Sequence, residues 1–246
     1  MKKLNFIIKY GLALLLLSFY SCESWLNVTP SDRLSEEMLF NDREGFVKAL
    51  NGVYIELNTN ELYGRNLTAG ALDVMGQYYS VASSSHAFYN YGGLVYTGND
   101  EKALFDNMWQ KCYAVIACCN TIIEKCDENK AGLSPVWRGS IKGEALALRA
   151  MLHFDMLRLF GPLTSELDKE SIPYQTNSDQ TVTPLLSGSE VVGLILDDLK
   201  NAVGLLKDTD PYFVEEEFSD TDLNYRRFRM NYFAAKGLMA RVQLWG

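Results

Sequence analysis

Histidine is scarce in this 246-residue chain: only His86 and His153 occur, and no H-E-x-x-H pair places two of them on one helix face to bind zinc. No G-x-S-x-G elbow presents a serine nucleophile and no glycine-rich loop cradles a phosphate, so nucleophilic and phosphate-loop chemistry have no basis in the sequence. Cysteine is limited to five residues, and none of the four between Cys112 and Cys126 has the C-x-x-C spacing of a zinc site. Asp220, Asp222 and Asn224 have the first spacings of a calcium loop, but Tyr225 replaces the required glycine and Asn231 the closing glutamate. No metal, cofactor or catalytic residue is expected. Positive charge is short as well. The formal charge is −8 and becomes −11 once Lys2, Lys3 and Lys9 are set aside with residues 1–21, which opposes nucleic acid and anionic surfaces and suits a neutral or cationic partner.

Long apolar runs are absent except for Leu12 to Phe19, which is too short for a comfortable membrane span. Lys2, Lys3 and Lys9 precede or flank it, and it stops at Ser21-Cys22. This pattern predicts a lipoprotein signal peptide over 1–21 and lipidation of Cys22, leaving a mature chain of 22–246. Phe19 and Tyr20 are bulky for such a signal, so a plain signal peptide or an anchor helix is the alternative.

With 48% hydrophobic residues the remainder can bury a core, and its periodicity is helical wherever it is clear. Leu39, Phe46, Ala49 or Leu50, Val53 and Leu57 mark an amphipathic helix from about Ser35. Phe105, Met108, Trp109, Cys112, Ile116, Cys119, Ile122, Ile123 and Cys126 make the strongest stripe. Cys112, Cys119 and Cys126 repeat every seven residues within it and read as small buried hydrophobes rather than as disulfide or metal ligands. Pro135 opens a third helix to about Phe160, with apolar residues on more than one face, small residues for close approach, and Gly161-Pro162 to end it. Within it His153 reads as a satisfied core residue. An irregular polar stretch to about Leu186 follows. Ser187 and Glu190 form a capping box for a fourth helix with Val192, Ile195, Leu199, Ala202 and Leu206 buried. Asp208 to Arg229 reads as a solvated loop, and a last helix from near Asn231 carries Phe233 or Ala234, Leu238, Val242 and Trp245. The expected fold is all-α, a tetratricopeptide-like helix-pair array with long irregular loops, incomplete at the C-terminus because the last stripe meets no further element.

Between the first two of these helices Tyr78, Tyr79, Phe88, Tyr89, Tyr91 and Tyr96 crowd together with Ser83 to Ser85, His86 and Asn90. Sugar rings stack flat C–H faces on aromatic rings and need donors and acceptors for their hydroxyls, so this composition suits a glycan platform. Tyr79, Tyr89, Asn90 and Tyr91 are the candidate ligand-binding residues. The alternative is that such tyrosines anchor a long loop to the scaffold.

Several segments, in order, resemble the SusD/RagB outer-membrane lipoproteins of Bacteroidota: Cys22-Glu23-Ser24-Trp25-Leu26-Asn27-Val28-Thr29-Pro30, Ala49 to Tyr54, Trp109 to Tyr113 and Cys119 to Ile123. Gly143-Glu144-Ala145-Leu146-Ala147-Leu148-Arg149-Ala150 is the most specific. Phe160-Gly161-Pro162, Ile172-Pro173-Tyr174, Ile195 to Lys200 and Ala234 to Val242 complete the series. The resemblance covers the first half of a typical member, so 22–246 is expected to be the N-terminal part of a SusD-like domain. It implies a non-enzymatic function: capture of a polysaccharide or oligosaccharide at the cell surface and its delivery to a TonB-dependent, SusC-like outer-membrane transporter, with a lipid anchor holding the protein on the outer membrane. Most matched residues are structural by their physics, Glu144 and Arg149 as a helix ion pair. Two other functions compete: a helical protein-interaction module, and a glycosidase using two carboxylates such as Asp73, Asp100 or Asp222.

Overall fold

A computed structural model describes residues 36–179, 181–215 and 218–246. The expected signal peptide, Cys22 and the leader to Pro30 lie outside them. Helices run in the order α1 (Glu36–Leu39), α2 (Arg43–Leu57), α3 (Ala71–Met75), α4 (Tyr89–Gly92), α5 (Asn99–Glu128) and α6 (Pro135–Phe160). A 3-10 turn (Thr164–Glu166), strands β1 (Glu170–Pro173) and β2 (Leu185–Ser187), then α7 (Gly188–Thr209), α8 (Asp220–Arg226) and α9 (Tyr232–Trp245) complete the series. Contacts divide the chain into Met1–Glu37 and Met38–Gly246, and everything from α2 onward belongs to the second unit. Among the described residues no helix is long and apolar enough to cross a membrane.

Except for α5, which follows Gly98 without a side-chain cap, each long helix begins where a side chain takes a free backbone N–H. Asp42 accepts from Gly45 at 2.9 Å, Ser134 from Trp137 at 3.3 Å ahead of Pro135, and Ser187 with Glu190 forms the full capping box. Gly161-Pro162 ends α6 as expected, and Asn129, in the left-handed region at φ 45°, ends α5. The buried stripes follow the sequence pattern with two corrections. Val191 rather than Val192 faces the core from α7, and in α9 Ala235, Leu238 and Val242 are buried while Phe233 points outward. Cys112, Cys119 and Cys126 are free thiols buried in the stripe of α5, and burial pushes the Cys126 thiol up to about 12.

Helix α6 packs on α5, α7 and α2, and α7 packs in turn on α9. The approach of α6 to α7 is close because glycine allows it: a β-carbon on Gly143 would stand 2.8 Å from Leu206 Cγ, and one on Gly139 2.6 Å from Thr209 Cγ2. The stretch expected to be irregular between α6 and α7 contains the short antiparallel ribbon β1–β2, through which Ile172 and Tyr174 enter the core.

Covering α6 on several faces buries its charges, and here the sequence expectation needs correction. Glu144 and Arg149 do not pair with each other. Arg149 grips Asp198 of α7 through Nε and Nη2, both at 2.7 Å, and donates from Nη1 to Asn120 of α5 at 2.8 Å. The Tyr174 hydroxyl donates to the same Asp198 at 2.6 Å. Glu144 accepts from the Tyr54 hydroxyl, from Arg226, and from Arg229 at 2.8 Å. Burial would raise its pKa, but Arg226 and Arg229 outweigh that and hold the carboxyl below the usual range. Arg226 also binds the buried Asp210 through two nitrogens, at 3.1 and 2.6 Å. The segment Asp208 to Arg229 is therefore not simply a solvated loop. It contains α8 and sends a buried arginine into the core, because Glu144 requires a counter-charge.

His153 is the satisfied core residue expected of it. The Gln175 N–H donates to Nε2 at 3.0 Å, which leaves the proton on Nδ1 to reach the Arg149 carbonyl at 3.0 Å. Burial, seconded by the Arg149 charge, lowers its pKa from 6.5 to about 3.

Two outcomes follow for stability. Replacing Arg149 by Ala leaves Asp198 buried without its cation and is expected to cost about 3–5 kcal/mol in denaturant unfolding, far more than Ala at an exposed arginine. For His153 the folded pKa lies below the unfolded one, so stability is whole above 6.5 and falls as pH drops toward 3. The expected loss from this residue is about 1.4 kcal/mol between about pH 7.5 and pH 5.5. Its ring resonances should keep neutral chemical shifts over that range, and a titration near 6.5 would contradict the assignment.

Candidate functional site

The tyrosine-rich segment between α2 and α5 folds as two short helices, α3 and α4, pinned by a reversed backbone. Gln77 sits in the left-handed region at φ 61°, and its side-chain nitrogen donates to the Gly92 carbonyl at 2.9 Å, tying the end of α3 to the end of α4. Leu94, at φ 55°, turns the chain out of α4, and the Val95 N–H closes on the Asn90 carbonyl at 2.9 Å. Ala71, Val74 and Tyr91 form a small buried cluster of their own, walled by Met75, Val81, Phe88, Tyr96, Leu104 and Phe105.

The four residues named from the sequence separate in this arrangement. Tyr79 is 52% exposed and Tyr89 42%, with Tyr78 beside them at 79%. Asn90 donates its amide to the buried Glu101 at 2.8 Å. Tyr91 is 2% exposed and packs edge-on against Phe88 at 5.8 Å and Phe105 at 6.0 Å. Tyr79 and Tyr89 present their rings to solvent, and Tyr91 anchors the loop to the scaffold. From Phe105 the ring contacts continue through Phe160, Trp109, Tyr113 and His153 to Tyr174, where His153 stacks at 3.9 Å. The loop is therefore joined by aromatic packing to the buried Arg149–Asp198 pair.

An open groove of about 510 Å³ runs along this segment, lined among others by Tyr79, Ser80, Val81, Ser83, His86 and Phe88. The Phe88 N–H donates to His86 Nδ1 at 3.0 Å, so the neutral ring carries its proton on Nε2 as a donor. Ser83 and Ser85 share a hydroxyl hydrogen bond of 2.8 Å. The groove combines an aromatic wall, hydroxyls and an imidazole, the groups that a polyhydroxylated ring can stack on and bond to. His86, Ser83 and Phe88 complete it although none was a leading candidate, and their signal in the sequence was only proximity to Tyr79.

A second cavity, of about 270 Å³, lies where α2, α6 and α8 meet and is lined by Trp137, Glu144, Arg226, Arg229 and Asn51 among others. Its charges are spent on one another: Arg229 reaches both Glu144 and Asn51, each at 2.8 Å, and Arg43 stands over Trp137 at 4.8 Å. Asp222, one of the acids considered for catalysis, caps α8 by accepting from the Ser219 backbone N–H at 3.1 Å, and it accepts from Ser219 Oγ at 2.7 Å. Among the described residues no group of three His, Cys, Asp or Glu side chains is placed to hold a metal ion.

Residues 24–244 match the SusD-like family described as starch-binding and associating with the outer membrane. The chain is 27% identical over 199 residues to SusD-like protein P38 of Formosa agariphila, an alignment covering 74% of this chain and 34% of that protein. It is 30% identical over 146 residues to a SusD-like protein of Bacteroides ovatus, covering 58% and 23%. Its fold is similar to a solved SusD-like carbohydrate binding protein of Bacteroides vulgatus, with a TM-score of 0.65 at 24% identity over 83% of this chain and 42% of that one. A SusD-like protein of Bacteroides fragilis is similar with a TM-score of 0.61 at 19% identity, over 88% and 37%. The chain thus spans about a third of the first curated relative and about two-fifths of these solved structures.

The division among the tyrosines has a direct test. Tyr91→Ala empties the small cluster and is expected to lower unfolding stability by about 3 kcal/mol, whereas Tyr89→Ala should change it by less than about 0.5 kcal/mol. Equal effects in thermal and denaturant unfolding would show that burial does not distinguish the two residues.

Proposed function

This chain belongs to the SusD-like family, and from that membership we propose that it is a surface lipoprotein that binds a polysaccharide or oligosaccharide for delivery to a TonB-dependent, SusC-like transporter. In this reading residues 1–21 direct export and are removed, Cys22 carries the lipid that holds the protein on the outer membrane, and 22–246 is the N-terminal part of the nutrient-capturing domain. Two acyl chains at about 0.8 kcal/mol per buried CH2 suffice for stable anchoring without a spanning helix.

The observation that carries the ligand assignment is the exposed Tyr79 ring on a groove that also holds His86 and Ser83. A sugar face stacks on Tyr79, a ring hydroxyl accepts from His86 Nε2, and Ser83 exchanges a further hydrogen bond. Tyr89 extends the platform beyond the groove. The negative chain suits a neutral glycan and disfavours an anionic one. Binding without turnover is the function of such a site: shape, stacking and hydroxyl recognition are present, and the product of a SusD-like protein's work is the intact ligand handed on.

Maltoheptaose is the first probe because the matching family is described as starch-binding, followed by a panel of plant and host polysaccharides. Tyr79→Ala and Tyr89→Ala are each expected to weaken calorimetric binding by about 0.5–1.5 kcal/mol, about 2- to 13-fold, with the unfolding midpoint unchanged. Unaltered affinity in both would remove this loop from the site, and failure of the parent chain to bind any glycan of the panel would remove the glycan reading.

A further inference from the structure

Asn90 lies inside the tyrosine platform yet offers its amide to protein: Nδ2 donates to Glu101 Oε1 at 2.8 Å. Glu101 is in the first turn of α5 and only 6% exposed, an unusual position for a carboxylate unless it is engaged. Its other oxygen folds back over Gly98, the residue that precedes the helix, so closely that a β-carbon there would lie 2.0 Å from Oε2. A negative charge at this point is favoured by the unpaired N–H groups of the first helical turn. The same carboxylate therefore rests on the start of a thirty-residue helix and holds the middle of a four-residue one. Helix α4 is too short to be stable alone. The Gln77 bond to Gly92 and the burial of Tyr91 hold its end and its inner face.

We propose that Glu101 and Asn90 are positioning residues of the ligand platform: their hydrogen bond latches α4 to the N-terminus of α5 and thereby holds the Tyr89 ring ready for its ligand, Asn90 itself making no ligand contact. The inference rests on the glycan-platform reading for its effect on affinity, but the latch itself is a statement about the unliganded protein. Gly98 belongs to the same device, because any side chain there occupies the space of the carboxylate.

Hydrogen exchange of the unliganded chain tests the latch, and titration with maltoheptaose tests its use. In Glu101→Ala the amides of Gly92 to Val95, which bond to Phe88, Tyr89, Tyr91 and Asn90 carbonyls, are expected to exchange about tenfold faster while those of α6 keep their protection. Asn90→Asp alone, which sets two carboxylates against each other, should do the same, and so should Gly98→Ala with Glu101 still present. Combining Asn90→Asp with Glu101→Gln exchanges donor and acceptor and should restore protection, a rescue that a general loss of packing would not show. Affinity for maltoheptaose should fall about 3- to 10-fold in the single variants and recover in the combined one. Unchanged exchange in Glu101→Ala, or faster exchange with no loss of affinity, overturns the proposal. If the parent chain does not bind the sugar, the glycan reading fails, and the exchange pattern with its rescue alone decides for or against the latch.

Discussion

Glu144 and Arg149 stand five residues apart on a helix whose faces are almost all covered, and neither could be there without an opposite charge arriving from elsewhere in the chain. Removing an ionised group from water costs several kcal/mol, and only good geometry with hydrogen bonds to every remaining lone pair or proton offsets it. At both sites each buried side-chain nitrogen and oxygen has a hydrogen-bond partner. Asp198 receives Arg149 in a two-pronged contact and also accepts from Tyr174, and Glu144 is met by two arginines and a tyrosine hydroxyl. The consequence is positional. Asp198 can meet Arg149 only if α7 lies in one register against α6, and Arg226 can meet Glu144 only if α8 and the segment before it fold inward. Gly139 and Gly143 set the separation at which the first of these pairings closes. Apolar packing supplies most of the stability of such a fold, but it is tolerant of sliding. We infer that the charges are what make one alignment the only inexpensive one.

The tyrosine-rich segment between α2 and α5 is built differently from this frame. Its buried part is three residues, Ala71, Val74 and Tyr91, with partial walls, so its shape depends on directional ties as much as on burial. A reversed backbone at Gln77, a side-chain bond to Gly92 and the grip of Glu101 on Asn90 substitute for the core that the segment is too short to have. Tyr91 and Phe105 connect it to the main frame through a run of ring contacts ending at His153 and Tyr174, beside the Arg149–Asp198 pair. Exposed aromatic rings on a weakly cored loop are a stability liability, and holding them through a long helix limits it.

What the sequence made legible follows from the range over which each cause acts. Helix periodicity, the Ser187–Glu190 box, the Gly161-Pro162 stop, the buried cysteine stripe and the satisfied His153 all depend on residues within a turn or two, or on a side chain's general tendency to be buried. The partners of Glu144 and Arg149 were misassigned because charge pairs are chosen in space. Arg226 lies eighty-two residues beyond Glu144 and Asp198 forty-nine beyond Arg149. The ribbon β1–β2 escaped notice for a related reason, since its two short strands are made strands by pairing with each other and by burial of Ile172 against α6 and α7 rather than by any alternation of their own. Helix α8 was obscured by its charge: a polar segment reads as solvated unless one knows that one of its arginines is needed inside.

The tyrosine-rich loop shows where composition stops being informative. Tyr79, Tyr89 and Tyr91 are chemically the same residue in the same segment, and density of aromatics predicts equally well that they bind a ligand or that they pin the loop down. Their separation follows from geometry that lies outside the segment. Positions two apart on a helix point about 200° from each other, so once Phe105 of α5 and Val74 of α3 fix the inner face of α4, Tyr91 must enter and Tyr89 is carried outward. Asn90, between them, meets Glu101 only because α5 begins at Asn99, more than a full turn before its apolar stripe starts at Phe105. The anchor thus makes the exposure possible: a ring can stay exposed and ordered in water because a nearby ring is buried, and a loop in which every tyrosine faced outward would have nothing to hold it in place.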